Sequence, residues 1–335
     1  MRCEICGAER PSRAIPLCPE CSKKEEAIEY VKKIHEGVEK IGRESRWKCD
    51  LCANECGLEE NDRGLCGLRG TKNGKFYSLT SPDRGVLYAY EDPLPTNCCN
   101  AWFCKGSKLR GTNLAIFYYG CSFDCLFCQN WSHKDVKLGK VVSVEEMVER
   151  AMDERIKCIC HFGGSPEPQL PFAIKFSEEV LKRREVMICW EWNGSGRRDL
   201  ALKAAEISAR SGRTVKFDLK AWNENLHEVL TGRSNKRALE NFKAIFEKYP
   251  EVLSATTLLV PYYVDEGEVE KVASFISSLD DTIPYSLLVF HPDYRLSDLP
   301  VTPPEQVKRC YAVAKKHLKN VNVGNLHLLG LKELK

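Results

Sequence analysis

The chain has 335 residues, 29% of them charged and 43% hydrophobic, and its 50 Lys+Arg against 47 Asp+Glu leave a net charge of +3. That apolar content fills a core, which excludes a disordered chain, and the near balance of charge excludes a strongly basic nucleic-acid binder. Its 18 cysteines exceed the needs of packing. The chain is long and opens Met-Arg-Cys-Glu-Ile-Cys, without an apolar signal core or a run of about 18 apolar residues, so it predicts metal in a reducing cytoplasm rather than a secreted disulfide scaffold or a membrane span.

Taken in chain order, the first elements are cysteine pairs. Cys3-x2-Cys6 and Cys18-x2-Cys21 suit a tetrahedral zinc site of four thiolates. Lys23 to Arg46 follows, with Ile28, Val31, Ile34, Val38 and Ile41 at helical spacing, and reads as one amphipathic connecting helix. Next come Cys49, Cys52, Cys56 and Cys66, a second set of four thiolates for zinc or an iron–sulfur cluster. Cys98, Cys99 and Cys104 follow Pro93-Leu94-Pro95. They either complete a neighbouring site or are plain buried thiols.

The next stretch ends an apolar run at Gly120 and then carries Cys121, Cys125 and Cys128, spaced x3 and x2. Three thiolates on one short loop wrap one face of a cubane that takes four ligands, which leaves one iron open. Beyond the loop, strand-like runs near 113–119, 157–162, 186–190, 214–219, 253–260, 284–290 and 320–324 alternate with helical runs near 143–155, 168–183, 198–211, 235–248, 265–279 and 303–318. Such alternation predicts a parallel sheet with right-handed crossovers and functional residues at the C-terminal strand ends. Those ends carry His161-Phe-Gly163-Gly164-Ser165-Pro-Glu167, Trp190-Glu191-Trp-Asn193-Gly194 and Asp218-Leu-Lys220. Asp218 and Lys220 share one strand face, and a charge pair turned into a barrel is costly unless it serves a ligand. His133, His161 and His291 are further candidates for proton or substrate contacts. Cys158, Cys160, Cys189 and Cys310 read as buried core thiols.

Cys121-x3-Cys125-x2-Cys128, with Phe127 before the last cysteine, resembles the signature of radical S-adenosylmethionine (SAM) enzymes. The resemblance implies a partial (β/α)6 TIM-like barrel behind an N-terminal cysteine-rich metal-binding domain. It also implies a [4Fe–4S] cluster on Cys121, Cys125 and Cys128, with SAM on the open iron. Reductive cleavage of SAM then gives a 5′-deoxyadenosyl radical that takes a hydrogen atom from a substrate. Phe127 would flank the adenine, and Gly163, Gly164, Ser165, Glu191, Asn193, Asp218 and Lys220 would line the SAM pocket. Ser165 stands where the family usually has a glutamate, which shifts weight to the backbone contact.

The Asp-Leu-Lys strand, His227, Gly232-Arg-Ser-Asn235 and Val260-Pro-Tyr-Tyr-Val-Asp-Glu266 narrow the resemblance to glycyl-radical-enzyme activases of the pyruvate formate-lyase activating type. The cysteine spacing at 49–66 resembles an uncharacterised archaeal and bacterial branch of these. A monovalent cation between Glu191 and Asp218 is implied too, as is a reduced ferredoxin or flavodoxin donor and an anaerobic host. The expected layout is 1–46, a zinc-ribbon-like segment with a connecting helix; 47–108, an auxiliary metal-binding region; and 109–335, the barrel. The target of an activase would be a glycine of a partner glycyl-radical enzyme. The alternatives are radical modification of another peptide, a cofactor precursor, a lipid or an RNA, or a non-enzymatic metal-ribbon binding protein.

Overall fold

The computed structural model describes residues 1–331 except position 97. In chain order the N-terminal third holds α1 (Pro19–Ser22) and α2 (Ile28–Ile34), the hairpin of β1 (Trp47–Cys49) with β2 (Cys56–Leu58), and the hairpin of β3 (Arg69–Lys72) with β4 (Lys75–Ser78). Then follow β5 (Arg84–Pro93), β6 (Thr112–Tyr118), β7 (Lys140–Ser143), α3 (Val144–Ala151), β8 (Ile156–Phe162), α4 (Leu170–Leu181), β9 (Met187–Trp192) and α5 (Arg198–Ser211). The last part runs β10 (Val215–Asp218), α6 (Glu224–Thr231), α7 (Lys236–Lys248), β11 (Leu253–Leu259), α8 (Glu266–Ser277), β12 (Tyr285–Val289), α9 (Pro304–His317) and β13 (Val321–Gly324).

Nine strands form one sheet in the order β13-β12-β11-β10-β9-β8-β6-β5-β7. From β6 to β13 every pairing is parallel, and β5 adds an antiparallel pair on each side. All seven strand runs read from the sequence are present, and helices cross between successive parallel strands as expected for βαβ units. Phe162, Glu191, Lys216, Thr256, Leu288 and Asn322, one from each of β8 to β13, line a single cavity. A flat sheet could not bring them together, so the sheet curls into a partial barrel.

Local chemistry fixes several helix starts. Ser143 and Glu146 form a reciprocal capping box on α3, Asn223 caps α6 and Asp265 caps α8. Each satisfies backbone donors that the first helical turn leaves free.

The single connecting helix expected over Lys23–Arg46 is broken. Only Ile28–Ile34 is α-helical, His35 is extended, and Gly37 takes a left-handed φ of 73° before a 3-10 turn at Val38–Lys40. The break releases the His35 ring, whose two nitrogens reach Asp124 Oδ2 at 2.8 Å and the Val229 carbonyl at 2.9 Å. A tertiary contact outweighs helical periodicity here. The boundary expected at 108 also falls inside the sheet, because β5 pairs with β6 from Leu87↔Tyr118 to Pro93↔Thr112.

The N-terminal segment is packed onto the barrel. Ile15, Leu17, Val31 and Ile34 belong to the same hydrophobic core as the barrel strands. Tyr263 Oη donates to the Leu17 carbonyl at 3.1 Å, and Lys23 pairs with Asp265 at 2.6 Å. The segment between β5 and β6 closes the N-terminal end of the barrel. Asn100 Nδ2 donates to Thr214 Oγ1 at 3.2 Å and Ser254 Oγ at 2.9 Å, and Trp102 Nε1 donates to Ser286 Oγ at 3.0 Å. Among the described residues no helix is long and apolar enough to cross a membrane.

Candidate active site and metal centres

The loop after β6 turns into the barrel mouth at Gly120, whose φ is 80°. Cys121, Cys125 and Cys128 all face one cavity of about 690 Å³. The loop is tied down on both sides. Asp124 N donates to the Thr231 carbonyl at 2.8 Å and Leu126 N to the Leu230 carbonyl at 3.0 Å. The Asp124 carboxylate pairs with His35 and Lys134, which hold it well below the usual carboxylate range against its burial. Burial and its neighbouring thiols push Cys125 up to about 12, Lys220 opposing, and push Cys121 higher still. Buried thiols in that state bind a cation by exchanging their protons for it.

All eight residues expected at the SAM pocket, Phe127, Gly163, Gly164, Ser165, Glu191, Asn193, Asp218 and Lys220, line the same cavity as the three cysteines. Asn193 Nδ2 donates to Ser122 Oγ at 2.9 Å and Ser165 Oγ at 3.0 Å and approaches Cys121 Sγ at 3.9 Å. Lys220 Nζ lies 2.9 Å from Asp218 Oδ2 and 5.8 Å from the centre of the Phe127 ring.

Gly163 and Gly164 are left-handed, with φ of 64° and 58°, but for a packing reason. A Cβ on Gly163 would strike the Phe117 ring at 2.1 Å, and one on Gly164 the Tyr118 carbonyl at 2.1 Å. Their missing side chains make room for the barrel wall, and both residues line the cavity. Glu167 turns away from the cavity. It is fully buried, accepts from Gly194 N at 2.7 Å and from the Ser165 hydroxyl, and so staples the β8 loop to the β9 loop.

Lys216 is the residue that sequence reading missed. Its ammonium is buried 2.7 Å from Glu191 Oε2 and 3.5 Å from Asp218 Oδ1. Its ammonium thus lies against both carboxylates for which the resemblance implied a monovalent ion. Alternation along β10 holds the signal, since Lys216, Asp218 and Lys220 share a strand face.

Cys98 and Cys99 also line the cavity, and Cys98 Sγ donates to Glu191 Oε1 at 3.1 Å. Cys104 instead accepts from the buried Arg213, whose guanidinium is further favoured by the thiols of Cys189, Cys158 and Cys160 around it, against the cost of its burial. Cys310 is plain core.

The histidines divide. His133 and His291 line the cavity, as does His327, which sequence reading passed over. Both ring nitrogens of buried His133 lack a partner among the described residues, and burial lowers the ring to about 4. His161 is a core residue, stacked 4.1 Å from Trp190 and bonded to Tyr118 and Ser177. His227 is also buried, with Nδ1–H donating to the Arg233 carbonyl at 2.6 Å.

Away from the cavity, the sulfurs of Cys3, Cys6, Cys18 and Cys21 all lie within 4.8 Å of one another. Although burial opposes it, backbone N–H groups of Cys18, Cys6 and Ile5 draw the Cys3 thiol down to about 6, while burial and the other sulfurs push Cys21 up. The set fits a tetrahedral ion. Cys49, Cys52, Cys56 and Cys66 line a second, small void of about 10 Å³, with their sulfurs more widely spread than those of the N-terminal set. The β1–β2 ladder sets Cys49 opposite Cys56.

The radical SAM superfamily profile matches residues 115–276. An uncharacterized protein of Methanocaldococcus jannaschii is 27% identical over 294 residues, covering 84% of this chain and 82% of that protein. A protein of the same organism named as a glycyl-radical enzyme activating enzyme is 27% identical, covering 62% of this chain and 79% of its own. The pyruvate formate-lyase 1-activating enzyme of Escherichia coli is 26% identical, covering 54% and 75%. Among solved structures, a domain of a pyruvate-formate lyase-activating enzyme from Bacteroides vulgatus superposes with a TM-score of 0.41 at 16% identity, covering 50% of this chain and 99% of that one. The chain thus carries a radical SAM domain over residues 115–276 and is an enzyme similar to pyruvate formate-lyase activating enzymes.

Proposed function

We propose that Cys121, Cys125 and Cys128 hold a [4Fe–4S] cluster, and that the adjoining cavity binds SAM and a substrate from which a hydrogen atom is taken. The observation that carries this reading is the convergence of three thiols and a wall of alternating charge on one cavity of about 690 Å³. When bound, the cluster with SAM supplies a 5′-deoxyadenosyl radical. The chain's own part is to bind, orient and exclude water. Asp218 and Lys220 offer opposite charges to the amino and carboxylate groups of a zwitterion, and Phe127 offers a ring face to the adenine. Lys216 keeps Glu191 and Asp218 compensated in the low-dielectric floor. A ferredoxin or flavodoxin serves as reductant.

The substrate is a glycine of a partner glycyl-radical enzyme, by similarity to relatives named for that role. A second reading, radical modification of another substrate, is favoured by one observation: the E. coli activase aligns with only 54% of this chain. Cys3, Cys6, Cys18 and Cys21 hold zinc. At 49–66 the four thiolates hold zinc or an iron–sulfur cluster, either of which a set of four cysteines can ligate. Anaerobic protein with SAM and a strong reductant should yield 5′-deoxyadenosine, and no product from iron-loaded protein would refute the proposal. An electron paramagnetic resonance (EPR) glycyl-radical signal on an added partner decides between the two substrates.

A further inference from the structure

The four-cysteine site at 49–66 does not stand apart from the catalytic loop. Segment 51–54, which contains Cys52, lies along the turn after β9. Cys52 bridges Gly196, Ala53 N donates to the Ser195 carbonyl at 2.8 Å, and Arg197 N donates to the Leu51 carbonyl at 3.0 Å. From there the buried Asn54 reaches the catalytic loop itself, with Nδ2 donating to the Ser122 carbonyl at 2.8 Å. Buried Arg233 donates to the same carbonyl from Nε at 3.1 Å. The other end of the site presses on the other flank of Cys121, since a Cβ on Gly120 would lie 2.5 Å from the Cys66 carbonyl. The 49–66 site therefore reaches both residues beside the first cluster ligand, by a hydrogen bond at Ser122 and by close packing at Gly120.

We propose that this site, loaded with a metal ion, is a brace that positions the catalytic cysteine loop, with Asn54 as the positioning residue. The inference rests on the reading of 49–66 as a metal site and extends it. Its short hairpin has little core of its own: β1 and β2 span three residues each. A hairpin of that size is not stable alone, and four thiolates on one ion supply the missing cross-link. Without the ion, segment 51–54 loses its anchor and with it the Asn54 contact to Ser122, and Cys66 is no longer held against Gly120. Arg233 forms no ion pair among the described residues; against the cost of its burial, the charges that bear on it are the Asp124 carboxylate and the thiols of Cys56, Cys52 and Cys121. Its charge thus belongs to both sites.

The test uses the anaerobically reconstituted full chain and three readouts: zinc per chain, the rate of iron release to an excess of chelator, and the EPR spectrum of the reduced cluster. Cys66→Ser should remove one equivalent of zinc and speed iron release. Asn54→Asp, which keeps the shape and loses the N–H donor, should keep that zinc and still speed iron release, by roughly three- to tenfold for one hydrogen bond. It should also alter the EPR line shape, which a merely structural residue would leave alone. Unchanged zinc in Cys66→Ser refutes the metal reading and the brace with it. Zinc lost with iron release unchanged refutes the brace alone. Should Cys66→Ser fail to fold, Asn54→Asp decides: wild-type iron release in that variant overturns the proposal.

Discussion

Two groups of cysteines at opposite ends of this chain's logic invite comparison. Cys3, Cys6, Cys18 and Cys21 bring four sulfurs within 4.8 Å of one another, against residues of the main core and away from the cavity. Cys121, Cys125 and Cys128 bring only three thiols, and these look onto a cavity of about 690 Å³. A closed tetrahedral set serves the fold, whereas a set with an open position serves chemistry. The difference shows in the neighbours as well. The N-terminal set is surrounded by aliphatic core such as Ile15 and Leu17. The barrel set faces Glu191, Lys216, Asp218 and Lys220, four charges that compensate one another, Lys216 buried and the other three partly so. Buried charges are retained at a cost, and a site that must receive a charged ligand is where the cost has a use.

The sharpest way to break the comparison is to remove one ligand from each group. Cys125→Ser should abolish formation of 5′-deoxyadenosine and strip about four irons per chain, while N-terminal zinc and the folded state persist. Product formation and metal content measured on the same preparation check this; residual turnover above background would mean that the loop is not the catalytic centre. Cys18→Ser should do the reverse. It should cost one zinc and several kcal/mol of stability, since metal binding to such a set is folding free energy, while soluble protein still cleaves SAM. Denaturant unfolding with parallel zinc analysis reads it, and an unchanged midpoint would show that the site is dispensable.

The charged wall provides the next test. Lys216→Met leaves Glu191 and Asp218 facing each other with Lys220 as the only remaining ammonium of the group. Breaking a buried pair on one side costs about 3–5 kcal/mol. A loss below about 1 kcal/mol in denaturant unfolding would mean that water or the mouth of the cavity already screens the two carboxylates.

How much of this was legible beforehand follows from where each signal resides. The cysteine sets are local, because a metal must be wrapped by a short loop, and spacing records that. The seven parallel strands are also local, through apolar runs bounded by turns. Legibility ends where a partner far along the chain decides. The helix expected over Lys23–Arg46 stops at Ile34 because His35 is claimed by Asp124 and Val229. Cys98 becomes a cavity residue only when the segment after β5 enters the barrel end and meets Glu191. Asn54 finds Ser122 across a separation of 68 residues. Lys216 is the instructive middle case. Its alternation with Asp218 and Lys220 was visible, but its partner Glu191 comes from the neighbouring strand, in the register Lys216↔Glu191.

Glu167 gives the smallest effect and the subtlest distinction between structure and chemistry at the open site. Its sequence position suggested a ligand contact, yet its carboxylate is bound by Gly194 N and Ser165 behind the cavity wall. Burial raises it to about 7, against the opposing hydrogen bonds of Ser165 and Gly194. A carboxyl raised above its unfolded value of 4.5 binds its proton more tightly in the fold. Its contribution is therefore complete at low pH and is lost as pH climbs from about 4.5 through 7, amounting to about 3 kcal/mol by pH 8. Buried His133, His161 and His227 are held neutral by desolvation and act in the opposite sense, costing stability as pH falls below their unfolded range. The wild-type curve mixes both trends. The difference between wild type and Glu167→Gln isolates one, because Gln keeps an acceptor for Gly194 N and carries no proton equilibrium. That difference should grow in favour of the Gln variant between pH 5 and pH 8, measured by denaturant unfolding. Parallel curves would mean that Glu167 is ionised in the fold at its ordinary value, and that the staple between the β8 and β9 loops is a charged one facing the ligand after all.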